Sequence, residues 1–236
     1  IVSVVGSWHG SVDQTLFTQD IRKEVQPISS GLKINDKNNI IYIPYNDIKN
    51  SKKILDRNKK KINCLIIEPI LGGLPLENVS SYLKFLENYC KKNDIIFILD
   101  EIITGFRSKN FSVQNQFNIR PNLTLIGKVS GGGLPIGVIG ISGITLRKIS
   151  KLKKKIFFGG TFSGNAFSTF VGSEVIKFIK KKDIVSDIIK KSLKFQNHIN
   201  KFLYNQNIKA RVYRFDSILR IVFTENKVGN RLQRDF

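Results

Sequence analysis

Residues 95–102 read IIFILDEI, residues 121–128 read PNLTLIGK and residues 131–137 read GGGLPIG. The first two segments are mostly apolar runs that stop at a charged residue, Asp100 in one and Lys128 in the other. Apolar strands that are continuous rather than alternating indicate a parallel sheet buried on both faces. Because ligands collect at the carboxyl ends of such strands, Asp100 and Lys128 are candidate site residues.

The sequence on either side of this stretch predicts an alternation of strands and helices. Apolar strands are expected at residues 1–6, 40–43, 62–67, 136–142, 210–215 and 219–224. Amphipathic helices are expected at residues 47–58, 78–93, 165–181 and 184–203. The turn-rich residues 18–39 predict a long loop. We therefore expect an α/β fold, a three-layer sandwich around a mostly parallel central sheet.

The charge balance is strongly basic, with 39 Lys and Arg against 18 Asp and Glu and a formal net charge of +21. Such an excess raises nucleic acid as a partner. The lysine runs lack interleaved aromatic residues and match no nucleic-acid-binding motif, so a solvated surface is the favoured interpretation. A non-catalytic basic fragment that binds nucleic acid remains the alternative function, and it would show a salt-dependent affinity for DNA.

Other features of composition exclude several classes. The hydrophobic content of 41% is ordinary for a globular protein, and no apolar run approaches the length of a membrane span. The only thiols are Cys64 and Cys90, too few for a zinc knuckle, so no metal site is expected. No strand is followed by the spaced three-glycine turn of a dinucleotide-binding enzyme. The chain contains no methionine, so we expect a fragment or a processed product.

Sites at turns and strand ends together fit the needs of one cofactor, pyridoxal 5'-phosphate (PLP). A lysine such as Lys128 can form a Schiff base, and a carboxylate such as Asp100 can keep the ring nitrogen protonated. The turn at residues 159–165 precedes a predicted helix and offers backbone N–H groups and the hydroxyl of Thr161 to a phosphate. Trp8, in the turn after the first strand, offers an aromatic face to the ring.

The motifs resemble those of a known family. Residues 100–107, 121–128 and 131–137 look like the central signature of the class III aminotransferases. Residues 44–47, 67–70 and 160–165 resemble the corresponding segments of the glutamate-1-semialdehyde 2,1-aminomutases within that family. Trp8 stands where the family commonly has tyrosine, and Ala166 replaces a proline that often follows the Ser-Gly-Asn turn.

The resemblance implies a role for each candidate residue. Lys128 would form the Schiff base and move a proton between substrate and cofactor, while Asp100 would hold the pyridinium. Ile102 would pack on the ring face opposite Trp8. Thr161 would reach the phosphate of the neighbouring subunit's cofactor, which implies a homodimer with shared active sites.

It also implies an organisation and a substrate class. Residues 1–180 would form part of the large PLP-binding domain of fold type I, and residues 181–236 would begin a small C-terminal α+β domain. Glu68 and Ser29 would lie on the side of the substrate, a small amino or carbonyl compound. An intramolecular aminomutase and a transaminase are weighed equally, in a cytoplasmic enzyme with no nucleic-acid or membrane partner.

Overall fold

The computed structural model describes residues 1–20 and 22–224, which form a mixed α/β structure. The strands are β1 (Val2–Val4), β2 (Phe17–Gln19), β3 (Val25–Pro27), β4 (Ile41–Ile43), β5 (Cys64–Ile67), β6 (Ile96–Asp100), β7 (Leu123–Gly127), β8 (Gly137–Ile141), β9 (Ala210–Phe215) and β10 (Ile218–Phe223). The α-helices are α1 (Ile48–Asn58), α2 (Ser80–Lys92), α3 (Val113–Phe117), α4 (Gly143–Ser150), α5 (Ala166–Lys181) and α6 (Ile184–Asn205).

The central sheet has six strands in the order β4-β1-β5-β6-β7-β8. All neighbours in it pair in parallel except β7 and β8, which are antiparallel. The mostly parallel sheet predicted from the continuous apolar runs is confirmed. Since the parallel strands all end at one edge, this edge gathers the residues that follow β1, β5, β6 and β7.

Helices pack on the sheet through the apolar faces that their periodicity predicts. Leu55 of α1 and Leu83 and Leu86 of α2 are fully buried in the main core, beside Phe97 and Leu99 of β6. Burial of each such side chain contributes about 1.5–3 kcal/mol. The start of α1 is set by Asp47, whose carboxylate accepts a hydrogen bond from the Asn50 amide at 3.0 Å.

Two parts of the predicted element pattern need correction. The segment predicted as a long loop contains the antiparallel hairpin β2–β3 and a 3₁₀ helix at Ile34–Asn39. The hairpin is held to the sheet because the Tyr42 hydroxyl donates to the Phe17 carbonyl. Helices α3 and α4 were not predicted, since each is shorter than the window of about 11–18 residues in which helical periodicity is recognised, although Ser112 and Ser142 cap them.

The C-terminal residues form α6 and the β9–β10 hairpin. Phe215, at the end of β9, is buried in the main core, and its ring centroid lies 5.9 Å from that of Phe117. The predicted small domain begins at residue 181 and includes a charged tail, residues 225–236, that lies outside the described residues. No helix of the described ranges is long and apolar enough to cross a membrane.

Candidate active site

Asp100 is the central polar residue at the carboxyl edge of the sheet. It is the last residue of β6 and only 4% exposed. One carboxylate oxygen, Oδ2, lies 2.8 Å from Nδ1 of His9, and Oδ1 accepts a hydrogen bond from the Ile102 amide at 3.1 Å. Because a carboxylate can only accept, Nδ1 of His9 carries the proton in this pair.

His9 is a site residue to which the sequence interpretation assigned no role. Its side chain is 3% exposed, and its second ring nitrogen, Nε2, is buried with no hydrogen-bond partner among residues 1–20 and 22–224. A buried polar atom without a partner costs about 1–3 kcal/mol. An imidazole kept at that cost beside Asp100 is a signal of function. The available sequence signal was a histidine in the turn directly after a strand.

Glu68 lies at the end of the neighbouring strand, directly after β5. Its carboxylate is buried and accepts a hydrogen bond from the Trp8 amide at 2.7 Å. Burial raises the pKa of Glu68 above its usual range, because desolvation outweighs the hydrogen bond from Trp8. The hydrogen bond fixes the backbone of Trp8, while the indole side remains half exposed at 50%. The exposed indole is thus available as a flat surface in the turn after β1.

Lys128 follows β7 directly. The register pairs Asp100 with Leu125, so Lys128 lies three residues beyond the partner of Asp100, on the adjacent strand. Its backbone is left-handed, with φ of 48°, which a non-glycine residue adopts only under local constraint.

Burial favours the neutral amine that forms a Schiff base, but the structure does not bury this residue. Lys128 is exposed. The reason is the direction from which its turn is supported, because α5 packs against Ser130 and Gly132 and leaves the lysine uncovered. At Gly172 of α5 an added Cβ would lie 2.5 Å from the Ser130 carbonyl oxygen. The glycine thus allows the helix to approach this turn closely.

Ile102 connects the two strand ends. A Cβ placed on Gly127 would lie 3.7 Å from Cγ2 of Ile102 and 3.2 Å from the Ile136 carbonyl oxygen. The Ile102 side chain therefore lies against the backbone that leads into Lys128. The carboxyl ends of β1, β5 and β6 accordingly bring together Trp8, Glu68, Asp100 and Ile102, beside the backbone of Lys128.

Thr161 and Ser29 lie elsewhere on the chain. Thr161 is exposed and lines an open cavity of about 890 Å³, together with residues 135–138 and 160–165 and two residues of α5. Ser29 is exposed, and its hydroxyl donates to the Ser30 carbonyl at 3.1 Å. Within the described ranges, neither residue makes a hydrogen bond to Trp8, His9, Glu68, Asp100 or Ile102.

Glu101 holds the turn that follows Asp100. It is fully buried and accepts three hydrogen bonds, from the Thr104 hydroxyl at 2.7 Å and from the Val113 and Gln114 amides at 2.9 and 2.8 Å. The two amides lie in the first turn of α3. Burial raises the pKa of Glu101 in spite of these donors. Glu101 therefore connects the turn after Asp100 to the start of α3, a helix that the sequence analysis did not predict.

The site contains carboxylates, an imidazole and an amine but no group of ligands suited to a metal. Among the described residues, no cluster of three or more His, Cys, Asp or Glu side chains could hold a metal ion. The arrangement therefore offers proton-holding groups at the strand ends, a flat indole and a nearby primary amine.

Comparison with known proteins identifies the family. The family model described as "Aminotransferase class-III" matches residues 1–228. The chain belongs to the class III aminotransferases. The family predicted from the motifs at residues 100–107 and 121–137 is thereby confirmed.

Curated relatives of this class III aminotransferase chain share about a third of its residues. It is 34% identical over 232 residues to glutamate-1-semialdehyde 2,1-aminomutase of Wigglesworthia glossinidia brevipalpis, covering 95% of this chain and 52% of that protein. It is also 34% identical over 241 residues to the enzyme of the same name from Methanocaldococcus jannaschii, covering 98% of this chain and 54% of that protein. The chain thus spans about half the length of the curated relatives it matches.

Solved structures confirm the fold of the class III chain. An omega-transaminase from Sphaerobacter thermophilus superposes with a TM-score of 0.80 at 20% identity, over 98% of this chain and 55% of that one. A glutamate-1-semialdehyde aminomutase from Pseudomonas aeruginosa PAO1, in complex with PMP, superposes with a TM-score of 0.80 at 18% identity, over 94% of this chain and 51% of that one. The predicted α/β fold is the fold of these enzymes.

Proposed function

We propose that this chain forms the cofactor-binding part of a PLP-dependent enzyme that transfers amino groups. The observation that carries the proposal is the buried Asp100–His9 pair at the end of β6, one strand away from Lys128. Two solved relatives support the cofactor, one titled as a transaminase with PLP bound and one as the PLP internal aldimine form of the FumI protein from Sphingopyxis sp. MTA144. Bound PLP would serve as an electron sink for charge that develops on the substrate carbon.

Asp100 would hold the proton on the pyridine nitrogen of the cofactor. The hydrogen bond from His9 supports this role, because it holds the carboxylate in one orientation. The amide of Ile102 adds a second donor to the same carboxylate. Two donors and burial would hold the Asp100 carboxylate in one orientation, facing the pyridine nitrogen of the cofactor.

Lys128 would attach the cofactor through its amine and then move a proton at the reacting carbon of the substrate. Its left-handed backbone and the flanking glycines support a close approach of the chain to a flat ring. Trp8 and Ile102 would bound the two faces of that ring. The bound cofactor or further residues of the protein would cover the exposed Lys128.

The proposal includes a homodimer with shared active sites. Aromatic side chains around the Thr161 turn are exposed, with Phe157 at 87%, Phe158 at 62% and Phe162 at 81%. Exposed large apolar side chains that lie close together in the chain favour an interface. In the dimer Thr161 would contact the phosphate of the partner subunit's cofactor. Sedimentation velocity of the full-length protein tests the assembly, and a monomer at micromolar concentration would contradict it.

For the reaction we propose the intramolecular 2,1-aminomutase, with the transaminase as second candidate. The names of the first curated relatives favour the aminomutase, whereas several structural neighbours are titled transaminases. Glu68 and Ser29 would contact the small amino or carbonyl substrate. A mutase converts glutamate-1-semialdehyde with no added amino donor or acceptor, while a transaminase requires a second carbonyl compound. We also place the enzyme in the cytoplasm, which fractionation would test.

The deciding experiment is spectroscopic. The full-length protein is titrated with PLP and the visible band of the lysine-bound cofactor is recorded, then the titration is repeated with Lys128→Ala. We expect the band to be absent from this variant and present in Lys151→Ala, a matched change at an exposed lysine after α4. A band that survives in Lys128→Ala would refute the assignment.

A further inference from the structure

The tip of the β9–β10 hairpin is hydrogen-bonded to residues 107–109, which follow the turn after Asp100. Asp216 is 7% exposed, and its Oδ2 accepts a hydrogen bond from the Lys109 amide at 2.9 Å. The hydroxyl of Ser217 donates to the Arg107 carbonyl at 2.7 Å, and the Ser217 amide donates to the same oxygen at 3.4 Å. Two hairpin residues thus hold residues 107–109 from the outside.

Residues 107–109 belong to the short stretch of chain between Asp100 and α3. The Phe106 amide donates a hydrogen bond to the Phe111 carbonyl at 2.8 Å, which closes the loop around these residues. From the inside, Glu101 binds the Val113 and Gln114 amides. Residues 101–114 are therefore fixed on one side by the buried carboxylate next to Asp100 and on the other side by the hairpin tip.

The hairpin is itself anchored firmly enough to act as a support. Arg214 donates to the Asp216 carbonyl at 2.8 Å, to the side chain of Gln196 in α6 at 2.9 Å and to that of Glu77 at 3.2 Å. Phe215 is buried in the main core. A displacement of α6 or of the hairpin would therefore move the tip, and the tip would move residues 107–109.

We propose that Asp216 and Ser217 are positioning residues of the candidate active site. They act through residues 107–114 and Glu101 on the turn that carries Asp100 and Ile102, so that the C-terminal hairpin sets the geometry of the cofactor-facing carboxylate. The assignment of the Asp100 carboxylate as a cofactor-binding group rests on the proposed function. The mechanical coupling does not rest on that function, because the hydrogen bonds described above carry it in the absence of any cofactor.

The test uses the full-length protein and changes that remove single hydrogen bonds of the hairpin tip. Asp216→Gly removes the carboxylate and tolerates the left-handed φ of 50° at this position. Ser217→Ala removes the shorter of the two bonds to the Arg107 carbonyl. Asp216→Asn keeps an acceptor oxygen and serves as the rescue variant. Thr224→Ala is the matched control, because it removes a bond to the Lys209 carbonyl at the open end of the same hairpin.

Amide hydrogen exchange is the first readout, and it does not depend on the cofactor. We expect the amides of Val113 and Gln114, which donate to Glu101 and not to the hairpin, to exchange about tenfold faster in Asp216→Gly, the effect of losing one hydrogen bond to a charged group. Ser217→Ala should act in the same direction, Asp216→Asn should have a smaller effect than Asp216→Gly because it keeps a neutral acceptor, and Thr224→Ala should leave these amides unchanged. Faster exchange confined to the hairpin and Lys109 would overturn the proposal.

Cofactor binding is the second readout. We expect PLP affinity to fall about three- to tenfold in Asp216→Gly and Ser217→Ala, a range typical of coupling through a packed network. Unchanged affinity and an unchanged pH midpoint of the cofactor band in both variants would also overturn the proposal. If the unaltered protein fails to bind PLP, the proposed function fails, and the exchange of Val113 and Gln114 still decides the coupling. Should Asp216→Gly not fold, Ser217→Ala carries the same test.

Discussion

Replacement of Glu101 by alanine should destabilise the protein severely. The carboxylate accepts hydrogen bonds from the Thr104 hydroxyl and from the Val113 and Gln114 amides, and its removal leaves all three donors unpaired. Each buried donor without a partner costs about 1–3 kcal/mol, and the Gln114 amide is partly accessible to water. The release of a desolvated carboxylate offsets part of the loss, so we expect a net cost of about 3–5 kcal/mol.

Urea unfolding of the full-length protein at neutral pH, followed by circular dichroism, measures this cost. Glu101→Gln should fall between the parent and Glu101→Ala, because its amide retains one acceptor oxygen. Glu174→Ala is the control. That carboxylate is 52% exposed and forms a surface ion pair with Lys177, so its removal should change the free energy of unfolding by at most about 0.5 kcal/mol.

The outcome that would refute this reasoning is a loss below about 1 kcal/mol in Glu101→Ala, the size of a change at an ordinary surface position. Such a result would mean that water or a rearranged turn satisfies the three donors. Glu101 would then not fix the turn after Asp100 to α3, and it would have no role in positioning the Asp100 carboxylate.

Three further predictions concern packing, cofactor affinity and pH. Gly172→Ala should cost about 1–3 kcal/mol in the free energy of unfolding, because its Cβ would lie 2.5 Å from a carbonyl oxygen of the turn after β7. Gly73→Ala, where an added Cβ meets no atom within 4 Å, is the control. His9→Ala should weaken PLP binding about tenfold by removing the donor to the β6 carboxylate, with the exposed His198→Ala as control, and equal affinities would contradict it. Burial raises the pKa of Glu68, so the folded state binds more protons than the unfolded state once the pH passes the ordinary glutamate range. Stability should therefore decrease as pH rises through the raised pKa, and Glu68→Gln should flatten that slope in unfolding measured across pH.

The strands of the sheet could be predicted because their signal is local. Residues 95–100 form an uninterrupted apolar run that ends in a carboxylate, and the structure has a strand, Ile96–Asp100, in that place. The long amphipathic helices were predicted for the same reason, whereas α3, with five residues, was too short for its apolar positions to repeat. The antiparallel direction of β8 also escaped the prediction, since residues 137–141 have no pattern that distinguishes the two directions.

Part of the candidate site could not be predicted, because it depends on residues that are distant in the chain. His9 and Asp100 lie 91 residues apart, and Trp8 and Glu68 lie 60 apart. They meet because β1, β5 and β6 are adjacent in the sheet. The contact of Asp216 with Lys109 spans 107 residues and depends on where the hairpin packs.

The sequence by itself determined the family, the alternation of strands and helices, and the residue types at the strand ends, since apolar runs, glycines and capping residues act on their immediate neighbours. Only the tertiary structure decided that His9 supports Asp100, that Glu101 ties the site turn to α3 and that Lys128 stands exposed. The physical reason is that strand order and packing bring donors and acceptors together across the chain, and no local pattern states which pairs will meet.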